Sequence, residues 1–541
     1  VQTKGAAIKD ILREGSYMLL CAFGSLISAF IVGYFTSTIA SSFSHRTRRK
    51  IFKKVEEIST EEVKKFSPSS LITRTTNDIT QIEFLIAMGL TLIIKAPVTA
   101  VWAITKILDK SVEWSILTGA AVLILLITIF TIMFIVMPKF KIVQELIDKV
   151  NMVIRENLSG IRVVRAFNAE QYQEDKFEKV NTKLTNQQTF NQTVFNFLNP
   201  VMNIVMYFLT LGIYFIGAIL INEANMGDKI VLFGNMIVFS SYAMQVIMSF
   251  LMLAMIFMML PRASVSAKRI NEVLDTKVTV KSGFVTENNN GLKGTIEFKN
   301  VSFKYPDADE YLLKDISFSA KEGETIAFIG STGSGKSTLI NLIPRFYDVT
   351  DGELLVDGVN IKDVDLHELR DKIGFVPQKG VLFTGTIKDN IKYGNEHITD
   401  EDVEKALDVS QATEFVSKLK GGVDYDISQG GTNVSGGQKQ RLSIARAIAK
   451  NPDIYVFDDS FSALDFKTDA KLRGELSKIT KNKTVLIVAQ RISTIMNADK
   501  IVVLDEGRVV GIGTHKELMK NCNVYKEIAL SQLSKEELEN A

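Results

Sequence analysis

Five long apolar runs crowded into the first half of a 541-residue chain restrict its fold more than any other feature. They lie at 17–40, 84–108, 116–137, 194–221 and 230–260. A helix rises about 1.5 Å per residue and the hydrocarbon core of a bilayer is about 30 Å thick, so roughly twenty such residues cross it. Backbone in lipid must satisfy its own hydrogen bonds, and a helix does this within a single segment. The expectation is an all-α membrane domain over residues 1–275, set in the lipid bilayer. Composition agrees, with 46% hydrophobic residues and a mean hydropathy of +0.14. The net charge of +2 exerts no global pull on nucleic acid, and no nucleic-acid partner is expected.

The joins at 109–115 and 222–229 are short, whereas 41–83 and 138–193 are long and polar. Both long connections are basic, notably at His45-Arg46-Thr47-Arg48-Arg49-Lys50 and Lys53-Lys54. Basic loops beside spans stay in the cytoplasm, and this reading outweighs a nucleic-acid patch. Five crossings then put Val1 outside, with no signal-peptide core after it, so a sixth span ahead of Val1 is expected in the intact subunit. Cys21 and Cys522 stand far apart in unlike contexts and imply neither a disulfide framework nor a metal site.

After residue 260 the character changes. The stretch 261–275, with Arg262, Lys268 and Arg269, reads as the end of a long helix emerging into water. Residues 276–294 are polar and suit a linker. From 295 to 541 short β-branched runs alternate with helical segments, the pattern of an α/β domain. Within it, Gly330-Ser331-Thr332-Gly333-Ser334-Gly335-Lys336-Ser337 fits the phosphate-binding loop. Its amides cradle phosphates, Lys336 reaches the β- and γ-phosphates, and Ser337 offers a hydroxyl to Mg²⁺. The strand 325–329 feeds this loop, and the helix after Lys336, starting through Thr338, aims its positive end at the phosphates. A second buried strand, Ile454-Tyr455-Val456-Phe457, ends in Asp458-Asp459, with Asp458 the expected partner of Mg²⁺. ATP and Mg²⁺ are the cofactors implied.

About a hundred residues beyond the loop stands Val434-Ser435-Gly436-Gly437-Gln438. With the phosphate loop ahead of it, this segment resembles the signature of ATP-binding-cassette proteins, and the chain as a whole resembles bacterial exporters of that family. The resemblance implies a type I exporter fold, a cassette after six spans, and paired cassettes in which Ser435, Gly436, Gly437 and Gln438 of one close over the nucleotide of the other. It also implies roles for matching residues. Tyr305, in Val301-Ser302-Phe303-Lys304-Tyr305-Pro306, would stack on adenine. Gln378, in Phe375-Val376-Pro377-Gln378, would link metal, nucleotide and membrane domain. Asp465, in Ser462-Ala463-Leu464-Asp465, would sense the paired cassette. Short helices near 58–66 and 160–167, at the tips of the two long connections, would dock on cassettes.

Two departures bear on mechanism. Active members carry Glu where this chain has Asp459, and His where it has Gln490 in Val488-Ala489-Gln490-Arg491. One missing methylene withdraws the carboxylate by about 1.5 Å, and a misplacement near 1 Å costs on the order of a hundredfold in rate. Gln490 donates a hydrogen bond but neither carries charge nor shares a proton. With the signature intact, the chain reads as the degenerate subunit of a heterodimer that binds ATP, turns it over slowly and completes a second half-transporter's hydrolytic site. Gln429 also replaces a Glu common in homodimers. The alternatives are an active homodimeric exporter of peptides or lipids, and an ATP-gated regulator that moves nothing.

Met244, Met248, Met252, Met255 and Met259 recur along one face of the last run. Methionine suits a promiscuous apolar cavity, though such a stripe is more often helix packing or lipid contact. Asn196, Asn199, Asn203, Asn235 and Gln245 either offer polar points in the cavity or bridge helices. Lys95, costly inside a span unless it faces water or an acid, either lines the cavity or snorkels or pairs between helices. Of these, Lys95, Asn203, Gln245, Met248 and Met252 are the candidate cavity residues. The expected substrate is a hydrophobic or amphipathic molecule exported across the cell membrane.

Overall fold

The computed structural model describes residues 8–108, 110–286 and 291–533, apart from the side chains of Lys141, Met226, Phe257 and Met258. Val1, Asp109 in the first short join, residues 287–290 of the expected linker and residues 534–541 lie outside the described residues. Two compact units emerge. One comprises Val1–Glu56 with Phe66–Thr276, and the other Glu57–Lys65 with Lys277–Ala541. Glu57–Lys65, which the sequence division left with the spans, thus groups with the second unit.

The first unit is helical throughout. Its elements are α1 (Ile8–Glu57), α3 (Pro68–Thr75), α4 (Asn77–Leu108), α5 (Val112–Ser159), α6 (Ile161–Ala166), α7 (Glu170–Asn196), α8 (Leu198–Glu223) and α9 (Met226–Leu274); α2 (Thr60–Lys65) falls in the second unit. Among the described residues five helical stretches are long and apolar enough to cross a membrane, and each contains one of the expected runs. The starts are written locally. Ser67 caps α3 by accepting from Ser70 N at 3.2 Å, with Pro68 behind it, and Ser111 caps α5 by accepting from Trp114 N at 3.4 Å. Pro97, Pro138 and Pro261 sit inside α4, α5 and α9 without ending them, as happens where neighbouring helices and local adjustment re-satisfy freed carbonyls.

The long polar connections are not loops. Helix α5 has 48 residues, about 72 Å at 1.5 Å per residue, more than twice what the hydrocarbon core needs. Helices α1, α5, α7 and α9 carry on past the apolar runs as polar rods, leaving only short turns around α2 and α6. Below the apolar runs α3 and α4 are clasped to α9. Asp78 is buried, accepts from Ser266 Oγ at 2.9 Å and lies 3.6 Å from Arg269 Nε, while Arg74 meets Glu272 at 3.0 Å. Within the apolar runs Trp114, Phe239, Leu125, Leu209 and Ile213 form a core. Helices α8 and α9 come close there because Gly217 has no side chain: a Cβ would sit 2.5 Å from Met236 Sδ and 3.3 Å from Trp114 Cζ2.

The second unit is α/β. A six-stranded sheet runs Arg508–Gly513, Lys500–Asp505, Thr325–Gly330, Thr484–Val488, Ile454–Asp458, Ile373–Val376, all parallel except the first. The central strands are buried along their whole length, which explains their unbroken Val/Ile/Phe runs. A four-stranded antiparallel sheet lies alongside, its neighbouring strands in the order Leu313–Ala320, Ile296–Phe303, Asp351–Val356, Val359–Asn360. The described part of the linker is docked rather than free: Gly283 N, Phe284 N and Val285 N donate to Val364 O and Asp363 O at 2.9–3.1 Å. A Cβ at Gly283 would strike the Asp363 backbone at 2.1 Å, so glycine is required for that approach.

Candidate active site

Register places the chemistry. Val488 pairs with Asp458 on one side and with Phe328 on the other, and Val376 pairs with Phe457. The chain segments leaving these strands therefore start level, at the carboxyl edge of the sheet where α/β folds bind ligands. They are the loop Gly330–Ser337, Asp458 and Asp459, Gln490 two residues past Val488, and Gln378 two past Val376.

The loop is shaped by φ values of 87° at Gly333 and 94° at Gly335, which turn successive amides into a nest. At Gly335 a Cβ would also lie 2.6 Å from Leu313 Cδ2. Lys336 Nζ folds over the loop, donating to Gly330 O at 2.9 Å, Ser331 O at 2.7 Å and Ser334 Oγ at 3.3 Å. Burial holds its ammonium below the usual lysine range, with Asp459 and Asp458 opposing. The helix that follows, Lys336–Asn341, is short, so its first-turn amides supply most of the positive end aimed at the phosphates. Ser337 Oγ donates to Asp458 Oδ1 at 2.8 Å, and burial raises the Asp458 carboxyl above its ordinary range. Thr338 is buried, its hydroxyl 3.0 Å from Tyr305 OH.

Asp459 is held in an unusual pose, at φ 47° and buried, with its N–H on Val488 O at 3.0 Å. One oxygen, Oδ2, accepts from both Gln490 Nε2 at 2.8 Å and Gln378 Nε2 at 3.3 Å. Burial raises its carboxyl pKa as well. Gln378 thus reaches Asp459, the residue next to Asp458.

Ser435, Gly436, Gly437 and Gln438 form a capping box at the head of the helix Gly436–Ala449. Ser435 Oγ accepts from Gln438 N at 3.3 Å, and Ser435 N donates to Gln438 Oε1 at 2.8 Å. The two glycines occupy its first turn, and a Cβ at Gly436 would meet nothing within 4 Å. Asp465 caps the helix Phe466–Ile479 by accepting from Thr468 N at 3.0 Å. Gln429 lies in the short turn Gln429–Gly431.

Three groups were not found from the sequence. Lys64 of α2 donates to Tyr347 OH at 2.7 Å, a bond that holds its ammonium above the ordinary lysine range, and lies 5.6 Å from the Tyr305 ring centre. Tyr305 itself packs edge-on against Phe303 and Tyr347. Gln532 clamps the backbone around Gln490, donating to Gln490 O at 2.8 Å and accepting from Ile492 N at 2.9 Å. A cleft of about 800 Å³ in the same unit is lined by Phe346, Arg370, Phe375, Tyr393, Arg446 and Lys450, and half-buried Arg446 donates to the Asn390 and Val381 carbonyls.

In the membrane unit a cavity of about 710 Å³ takes in Met248 and Met252, together with Met255, Met259, Asn196 and Asn199. It does not take in Lys95, Asn203 or Gln245, which are exposed outside it, nor Met244. Asn235 instead accepts from Lys110 at 3.0 Å.

A phosphate-binding nest with its lysine, hydroxyl and strand-end carboxylate, carried on one chain with five membrane-crossing helices, defines an ATPase-coupled transmembrane transporter. Comparison supplies the family. Residues 313–462 match the ABC transporter domain, and residues 6–276 the ABC transporter transmembrane region. The chain belongs to the ABC transporters, as a multi-pass membrane protein with its nucleotide-binding domain in the cytoplasm. An uncharacterized ABC transporter ATP-binding protein of Mycobacterium tuberculosis is 39% identical over 96% of this chain and 89% of its own length. YfiB of Bacillus subtilis is 36% identical over 98% and 91%. An ATP-binding/permease protein of Staphylococcus aureus, whose name assigns it provisionally to multidrug export, is 34% identical over 92% and 86%. The solved structure of a bacterial Atm1-family ABC exporter with ATP bound superposes with a TM-score of 0.83, covering 97% of this chain and 91% of that one at 24% identity, and shares the fold.

Proposed function

We propose that this chain is one half of a heterodimeric exporter of hydrophobic and amphipathic molecules, holding ATP at a slow site and completing its partner's fast one. The single observation that carries this reading is the Asp459 carboxylate. It is one methylene shorter than a Glu, and one of its oxygens already accepts from Gln490 and Gln378. A general base needs a free lone pair within reach of the attacking water, and an amide cannot take over the proton.

The donor set suits the cofactors. Ser337 Oγ and Asp458 Oδ1 stand 2.8 Å apart beside the nest, hard oxygens of the kind Mg²⁺ takes. Mg²⁺ supplies charge neutralisation on the β- and γ-phosphates. Lys336 would exchange its loop carbonyls for phosphate oxygens, and the nest would orient the triphosphate. The exposed Gly436, where a Cβ would meet nothing within 4 Å, supports a part in a partner's site. The 800 Å³ cleft, with its aromatic and cationic walls, suits a one-turn helix such as a partner's counterpart of α6.

Purified alone, the chain should bind ATP while hydrolysing it slowly. Co-purified with a companion half-transporter that carries Glu and His at the corresponding positions, it should show transport-coupled hydrolysis. Brisk ATPase of the chain by itself, lost on Asp459→Asn, would overturn the asymmetry. Tyr305→Ala should weaken ATP binding by about tenfold, since base stacking on an aromatic contributes about 1–3 kcal/mol. Tyr305→Phe loses only the Thr338 hydrogen bond and should stay within about fivefold. Equal losses for the two variants, measured by nucleotide titration, would place adenine elsewhere.

A further inference from the structure

We propose that the cavity beneath the last span selects amphiphiles with an acidic head group, and that Arg262 is the residue that reads the charge. This rests on the exporter reading and adds the class of cargo.

The cavity of about 710 Å³ is ordered along its length. Its volume lies within the range of drug-sized sites, roughly 300–1,000 Å³. On α9 the wall runs from Met248 and Met252 to Arg262, about 21 Å along the helix axis from first to last. The other helices repeat the order. Gln81 stands near the cytoplasmic start of α4 with Phe84 further in, and Gln192 near the end of α7 with Met202 further in on α8. The walls on α4 and α9 are thus apolar toward the membrane interior and polar at the cytoplasmic end, while Asn196 and Asn199 add polar points between Gln192 and Met202. A molecule with an apolar tail and a polar head fits in one orientation only.

The sign of the head follows from Arg262. It is the only ionisable side chain among the described lining residues. Among the described residues it has no ion pair; its guanidinium lies 5.4 Å from the Phe140 ring centre. Stacking on a ring leaves the edge of the guanidinium, with its row of N–H donors, free for a planar acid. Lys139, next to Phe140, lies 5.5 Å from the Phe190 ring centre. An arginine at this depth also fits simple anchoring to lipid phosphates. Its place on the wall of a methionine-lined cavity, against an aromatic of a different helix, favours a cargo role.

The test uses inside-out vesicles holding the complete transporter and two fluorescent probes that share one alkyl tail, one ending in a carboxylate and one in the neutral amide. A labelled acidic phospholipid in the same vesicles tells a lipid cargo from a free amphiphile, and flux of either acid supports the proposal. The expected result is ATP-dependent uptake favouring the acid by about tenfold. Arg262→Gln should remove that preference by lowering the acid's flux about tenfold more than the amide's, and Arg262→Lys should keep part of it. Flux without charge preference, or equal loss of both probes in Arg262→Gln, overturns this proposal and leaves the exporter standing. No ATP-dependent flux of any probe, with hydrolysis intact, overturns both.

Discussion

Asp459→Glu combined with Gln490→His is expected to raise the ATP turnover of the isolated chain by about ten- to a hundredfold. The longer side chain advances the carboxylate by about 1.5 Å, and displacements near 1 Å are worth about a hundredfold where a reacting water must be aligned. Neither change should suffice alone. In the native chain Gln490 donates to Asp459 Oδ2 at 2.8 Å, so a lone Glu would still be tethered to an amide. A lone His would face a carboxylate that remains too short. The pair should therefore be strongly non-additive, as expected of groups in contact. The backbone resists somewhat, since position 459 has φ 47°, a region Asp tolerates better than longer side chains. Steady-state phosphate release for wild type, both single variants and the double variant settles the matter. An unchanged double variant would show that the slow step lies outside this pair.

Gly436→Asp should abolish hydrolysis by the assembled transporter, by at least a hundredfold, without affecting ATP binding to this chain's own loop. A side chain there meets nothing within 4 Å, and Asp is welcome in the first turn of a helix, so the fold has no reason to fail. What changes is the charge offered to a partner's triphosphate. Two like charges 4 Å apart at an effective dielectric near 20 repel by about 4 kcal/mol, close to a thousandfold, and salt trims that figure. Gly436→Ala, adding bulk without charge, should cost far less. If the aspartate variant hydrolyses and transports at the native rate, the signature faces no nucleotide and the paired arrangement is wrong.

The spans and the cassette motifs were readable because both are local. A twenty-residue apolar run or a glycine-lysine-serine loop needs no distant partner to be recognised. The polar continuations of α1, α5 and α7 were not readable as rods, because Glu170–Asn196 carries little apolar stripe to betray its period. The cavity was half readable. Met248 and Met252 line it, whereas Lys95, Asn203 and Gln245 are exposed outside it, because a polar residue within a span can serve a cavity, a neighbouring helix or the interface and its spacing does not say which. Arg262 was noticed only as the mark of a helix leaving the membrane. Lys64 on Tyr347 joins residues 283 positions apart, a contact with no trace in spacing.

Gln532 carries a practical consequence. Its two bonds to the backbone at Gln490 and Ile492 act like a set screw, driven from the end of the helix Asn523–Gln532, on the residue that tethers Asp459. Trimming by a protease, or an affinity tag that strains the helix Asn523–Gln532, would loosen that adjustment while the phosphate loop stays intact. Turnover numbers from differently terminated preparations would then disagree for reasons unrelated to the nucleotide pocket itself.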